Sequence, residues 1–144
     1  MLLGTHTPRL DDKGRLVLPA KYREELSPGI VLTKGQDRCL VLWPAGAFEE
    51  YANGLNEASR SNAAARAYLR VLFSSANDQI PDKQGRISIP ADLRGYADLA
   101  GDVVIAGNGA TCELWAPPAW QGYLEEQERA FAGLDEEVFP GLLR

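Results

Sequence analysis

Histidine, cysteine and methionine are almost missing from this chain of 144 residues, which has one His, two Cys and one Met. His6 stands alone, and no group of Cys and His has the spacing of a zinc site, so no metal is expected. Cys39 and Cys112 lie in the apolar runs CLVLW and CELW, where a cysteine serves as a small buried hydrophobe rather than half of a disulfide. Long apolar runs are lacking too. None approaches the ~18 residues that cross a bilayer, which argues against a transmembrane helix. The N-terminal MLLGTHTPRL has three apolar residues in a row and no basic lead-in, unlike a signal peptide. These absences predict a cytoplasmic protein with no membrane contact, no cofactor and no small-molecule substrate.

Positive charge is also short. The net charge is −5. Residues 1–94 carry 13 Lys and Arg against 11 Asp and Glu, whereas residues 95–144 carry 2 against 9. The acidity is concentrated in EEQERAFAGLDEEV, and the chain lacks the broad basic surface usual in nucleic-acid binders. The 45% hydrophobic and 24% charged content is that of an ordinary globular domain with room for one shared core.

What the chain does have is a repeat. LDDKGRLVLPAKYR (residues 10–23) returns 71 residues later as PDKQGRISIPADLR (81–94), with 6 of 14 positions identical: Asp11/Asp82, Gly14/Gly85, Arg15/Arg86, Pro19/Pro90, Ala20/Ala91 and Arg23/Arg94. Asp at the first position of a type I turn accepts from backbone N–H groups further on, and Gly at the fourth takes a left-handed conformation, so Asp11, Gly14, Asp82 and Gly85 are read as structural turn residues. Residues 2–10 are expected as a first strand, RLVL as the return strand of a hairpin, and a short helix after Pro19. IVLTK and CLVLW follow as strands joined by a turn at residues 35–38. A helix after Pro44 places Phe48, Tyr51 and Leu55 on one face. The run AAARAYLRVLF is a strong helix former.

The second half repeats the scheme: SSANDQI and RISI as strands, a helix after Pro90, DVVIAG and TCELW as strands, and a final helix with Trp120, Tyr123 and Phe131 apolar. Here the offset becomes 72, and Val31/Val103, Leu42/Leu114, Trp43/Trp115 and Tyr51/Tyr123 are among 6 of 21 identities. The expected organisation is a first repeat at 1–59 with its hairpin at 10–18, an inter-repeat helix at 60–74, a second repeat at 75–131 with its hairpin at 82–89, and a loose acidic tail at 132–144. Each half of about 70 residues is marginal alone. The fold class expected is α+β, a tandem-repeat β-barrel with flanking helices, the halves sharing a core about a pseudo-twofold axis.

The two stretches DDKGRLVLPAKYR and DKQGRISIPADLR resemble the paired DxxxR motifs of the MraZ family, within the wider AbrB/SpoVT group of swapped-hairpin (double-split) barrels. The order and spacing of the motifs, the helix between repeats and the chain length all fit, so the resemblance covers nearly the whole chain apart from the tail. It implies a sequence-specific transcriptional regulator, nucleoid-associated, that assembles as a homo-oligomeric ring. Its implied partner is double-stranded DNA, at tandem promoter repeats upstream of the division and cell-wall gene cluster. In that picture Arg15 and Arg86 face DNA, where Arg donates two bonds to the guanine edge and a two-stranded ribbon fits the major groove. Lys13, Lys83 and Arg9 would contact phosphates.

Arg15 and Arg86 have a second available role, pairing with the aspartates four residues back. Such exposed pairs are worth ~0–1 kcal/mol and give little reason for the same Arg in both halves, so the DNA role is the reading taken. Arg23 and Arg94 are read as structural, as cations near the end of a short helix. Arg66 and Arg70, at i and i+4, are read as a solvated or subunit-facing stripe. An enzymatic dyad of Asp11 and Asp82 is rejected, because Arg15 and Arg86 would hold both carboxylates ionised. The alternative from another class is an antitoxin-like interaction module whose acidic C-terminal segment masks a basic partner. The first hairpin tip is net zero and the second +1. Strong DNA binding would therefore have to come from several subunits engaging repeated sites together.

Overall fold

The computed structural model describes residues 1–55 and 60–134. In chain order the elements are β1 (Thr5–His6), β2 (Arg15–Val17), a 3-10 turn leading into α1 (Arg23–Leu26), β3 (Ile30–Lys34), β4 (Leu40–Pro44), α2 (Ala45–Gly54), α3 (Ala63–Ser75), β5 (Asn77–Gln79), β6 (Arg86–Ser88), α4 (Ala91–Ala97), β7 (Val104–Gly107), β8 (Cys112–Trp115) and α5 (Pro117–Ala132). This is a mixed α+β fold. Six strands form one antiparallel sheet in the order β1-β7-β8-β4-β3-β5, and β2 and β6 form a separate two-stranded ribbon.

The sheet is built from two local hairpins, β3–β4 and β7–β8, joined at its centre by β4 against β8, where Leu40 stands opposite Leu114 and Leu42 opposite Cys112. Its edges are exchanged between halves. β1 pairs with β7 of the second half, and β5 pairs with β3 of the first. Alternation along each strand sends one set of side chains inward. Leu16, Leu18, Leu32 and Leu42 from the first half therefore meet Ile87, Ile89, Ile105 and Leu114 from the second in a single core. Neither half could close this core without the other.

Two expectations need correction. The strand expected over residues 2–10 is ordered as a strand only at Thr5–His6, with isolated bridges from Leu2 to Gly109 and from Arg9 to Asp102. Its neighbour is β7 rather than the return strand of its own hairpin. In SSANDQI the two serines belong to α3. The Ser75 hydroxyl donates back to Leu72 O at 3.0 Å and accepts from Lys34 N at 3.2 Å, so a contact with β3 holds it in the helix, and only Asn77–Gln79 is strand. In α5, Trp120 and Tyr123 pack on Trp115, whereas Phe131 is 75% exposed. The expected tail at 132–144 begins where α5 ends, and its residues 135–144 lie outside the described part.

Cys39 and Cys112 are free and buried. Burial pushes both thiols up to about 12, so they stay protonated at neutral pH and act as apolar side chains. The halves also repeat an aromatic cluster. Trp43 packs on Phe48 and Tyr51 with centroids 5.3 and 4.9 Å apart, and Trp115 packs on Trp120 and Tyr123 at 5.4 and 5.0 Å. Among the described residues no helix is long and apolar enough to cross a membrane.

Candidate nucleic-acid interface

Each DxxxR stretch folds as a turn closed by its aspartate. The Gly14 N–H donates to Asp11 O at 3.1 Å, and Gly85 to Asp82 O at 2.9 Å. Both glycines hold a left-handed φ, 75° and 76°, which other L-residues adopt only with strain. Asp11 Oδ1 accepts from the backbone N–H of Lys13 at 2.9 Å and of Arg15 at 2.8 Å, while Oδ2 accepts from Arg15 Nε at 2.7 Å. In the second turn Asp82 Oδ1 accepts from the N–H of Gln84 and of Arg86, both at 2.9 Å, and Oδ2 from Arg86 Nε at 2.7 Å. The backbone N–H of Arg15, followed by its side chain, holds the Asp11 carboxyl below its ordinary value despite partial desolvation, and Arg86 does the same for Asp82.

These ion pairs use only the Nε edge of each guanidinium. Among the described residues, neither arginine's terminal Nη groups make a hydrogen bond, so the pair that reads a guanine edge or a phosphate is left over. The aspartate aims the arginine without consuming it. The two roles weighed from sequence are compatible.

The strands that follow the turns pair with each other. In the ribbon Arg15 stands opposite Ser88, Leu16 opposite Ile87, and Val17 opposite Arg86. The ladder runs on into the turns themselves, with Leu18 N donating to Gly85 O and Ile89 N to Gly14 O, both at 2.9 Å. Leu16 and Ile87 are buried, so Arg15, Val17, Arg86 and Ser88 share the outward face. The pseudo-twofold passes through the central pair and sets the two arginines at diagonal corners of one surface. A second reciprocal contact fixes the turns: the Arg94 guanidinium donates to Ile89 O and lies over Gly14, while Arg23 donates to Leu18 O at 3.3 Å and lies over Gly85.

Lys13 and Lys83 are exposed on the turns beside this face. Arg9 is placed differently, since it pairs with Asp102 of the second half at 3.1 Å. Val17, 44% exposed, and Ser88 complete the face and were missed from sequence; the signal was the two-residue alternation of RLVL and RISI. Gln79 was missed too. Its amide clips the free edge of β6 with two 2.8 Å bonds, one to Ser88 O and one from Ser88 N.

The chain matches known proteins along nearly its whole length. A family model described as "MraZ protein, putative antitoxin-like" matches residues 1–71 and again 72–139. A protein named transcriptional regulator MraZ from Salinispora arenicola (strain CNS-205) is 55% identical over 142 residues, covering 99% of this chain and 100% of that one. Proteins of the same name from Salinispora tropica and Frankia alni are each 54% identical, again covering 99% of this chain and all of theirs.

Proposed function

The chain belongs to the MraZ family, and on that premise we propose that it is a transcriptional regulator that binds DNA sequence-specifically, as a homo-oligomeric ring, at tandem repeats upstream of the division and cell-wall gene cluster. The observation that carries the reading is the β2–β6 ribbon, whose single outward face bears Arg15 and Arg86 with their Nη groups turned to no partner among the described residues. A two-stranded ribbon fits the major groove, and its arginines read guanine there. Lys13 and Lys83 flank the face and supply phosphate contacts that set register. Arg9 adds a further phosphate contact, since its exposed pair with Asp102 is weak enough to open.

The fold itself reads as a swapped-hairpin barrel of the AbrB/MraZ type, supported by the exchange of β1, β5 and the ribbon strands between halves. The repeats run over 1–59 and 75–131, joined by α3, which is expected over 60–74 and spans Ala63–Ser75. Such a regulator works in the cytoplasm, on the nucleoid. It is not an enzyme, and each turn aspartate spends both oxygens on its own turn. With so few cations per subunit, affinity comes from several subunits engaging several repeats at once. The family description as antitoxin-like keeps one other reading in view, that of a module masking a basic protein partner.

The test is fluorescence anisotropy with duplexes bearing one repeat or several from upstream of the gene, at two salt concentrations. Tight, salt-sensitive binding to several repeats and weak binding to one is expected. Equal, weak binding to all duplexes and to unrelated DNA would overturn the reading in favour of the protein partner.

A further inference from the structure

The ribbon face repeats its arginines but not its centre. Arg15 and Arg86 are equivalent positions of the two repeats, 71 residues apart, and so are Val17 and Ser88. Because β2 and β6 run antiparallel, each arginine stands opposite the second outward residue of the other repeat: Arg86 opposite Val17, and Arg15 opposite Ser88. The face therefore has two unlike corners, one with an isopropyl group beside its arginine and one with a hydroxyl. The support behind them differs as well. Gln79 clips the outer edge at Ser88 through two 2.8 Å bonds, whereas the residue at the same offset in the first repeat is Pro8, which has no side-chain amide to offer Val17.

A lone exposed valine on a strand needs no explanation by itself. What gives this one a role is its place. Leu16 and Ile87 of the same two strands are turned into the core, so Val17, 44% exposed, is the apolar group that the ribbon presents outward between Arg15 and Arg86. With that face on the base edges of a major groove, an isopropyl group makes no hydrogen bond to a base and no contact of charge with a phosphate. Its match there is the 5-methyl group of thymine. A serine hydroxyl both donates and accepts, so it suits any base edge. Directly opposite residues of a ladder have Cβ atoms ~4.5–5.5 Å apart and stacked bases rise ~3.4 Å, which sets Val17 about one or two base pairs from the guanine under Arg86.

We propose that Val17 is a specificity-determining residue, packing on the methyl group of one thymine about one or two base pairs from the guanine held by Arg86, while Ser88 tolerates any base beside the guanine held by Arg15. One subunit thus reads an unsymmetrical site in spite of its pseudo-twofold axis, and the Val17 corner sets the direction in which it lies on the duplex. The inference rests on the DNA reading above and names what that reading leaves open, the second base at each corner.

Deoxyuridine lacks only the 5-methyl group of thymine, so it isolates the contact. Anisotropy titrations of the full chain use the multi-repeat duplex, with each thymine of the repeat replaced in turn by deoxyuridine at the matching position of every repeat. For wild type, one thymine position should matter, with about a fourfold loss for each repeat changed, as expected for one methyl group no longer buried, and the losses multiply across repeats. Val17→Ser should bind the thymine duplex more weakly by the same factor and no longer distinguish it from the deoxyuridine duplex. Ser88→Ala should keep the distinction. Both positions are exposed, and thermal melting checks the fold. Wild-type binding that is indifferent to deoxyuridine at every thymine would overturn the inference while the DNA reading stands. So would a methyl dependence that survives Val17→Ser, or one that vanishes in Ser88→Ala. If wild type binds the multi-repeat duplex no better than unrelated DNA, both fall.

Discussion

Arg94 lies over Gly14, on the turn of the opposite repeat, so closely that a Cβ at Gly14 would collide with its guanidinium. Arg23 and Gly85 repeat the arrangement. Gly14→Ala and Gly85→Ala should each cost about 1–2 kcal/mol from the left-handed backbone alone, and more from displacing the arginine. Gly95→Ala is the control, since a Cβ there meets nothing within 4 Å in the middle of α4. It should add about 0.5–1 kcal/mol of stability. Urea midpoints compare the three; a Gly14→Ala protein as stable as wild type would contradict the packing.

The turn aspartates predict how stability depends on pH. Asp11 and Asp82 are held below the ordinary 3.8, first by the backbone N–H groups of Arg15 and Arg86. A carboxyl that is more acidic folded than unfolded contributes stability that is complete above the unfolded value and is lost as pH falls through the folded one. Unfolding midpoints should therefore drop below about pH 4, and Asp11→Asn with Asp82→Asn should flatten that limb. An identical acid limb in the double variant would count against the turn geometry.

The cysteines should be silent. With thiols at about 12 and both side chains buried, neither Cys39 nor Cys112 should react with a disulfide reagent at pH 8 in the native state, and both should react in urea. Rapid native labelling of either would show that the core opens there.

Arginine geometry, beyond charge, should govern sequence preference. Arg15→Lys keeps the charge but loses the planar fork, so binding to the cognate repeats should weaken by the ~1–3 kcal/mol of one bidentate base contact, with binding to unrelated DNA little changed. Competition titrations with both duplexes measure this. An equal loss on both would make Arg15 a phosphate contact.

The turns were legible in the sequence because their chemistry is local: Asp at the first position, Gly at the fourth and Arg after it close the loop within five residues. The destination of the following strand was not. RLVL can pair with its own preceding segment or with RISI, and local pattern is the same for both; burying Leu16 against Ile87 decides for the second. Arg23 and Arg94 were matched from sequence yet read as helix-end cations, because a contact across the pseudo-twofold leaves no local trace. Ser75 likewise looked like strand until its bond to Lys34 placed it in α3.

The central claim is that one ribbon face reads DNA through two pseudo-symmetric arginines. Its most direct test is anisotropy of Arg15→Ala and Arg86→Ala on the multi-repeat duplex, with thermal melting in parallel. The account predicts that both lose binding by similar factors of ten or more while melting close to wild type, because each ion pair is only half-buried and contributes little to the fold. Undiminished binding in both variants would contradict it and leave the DxxxR turns as purely structural.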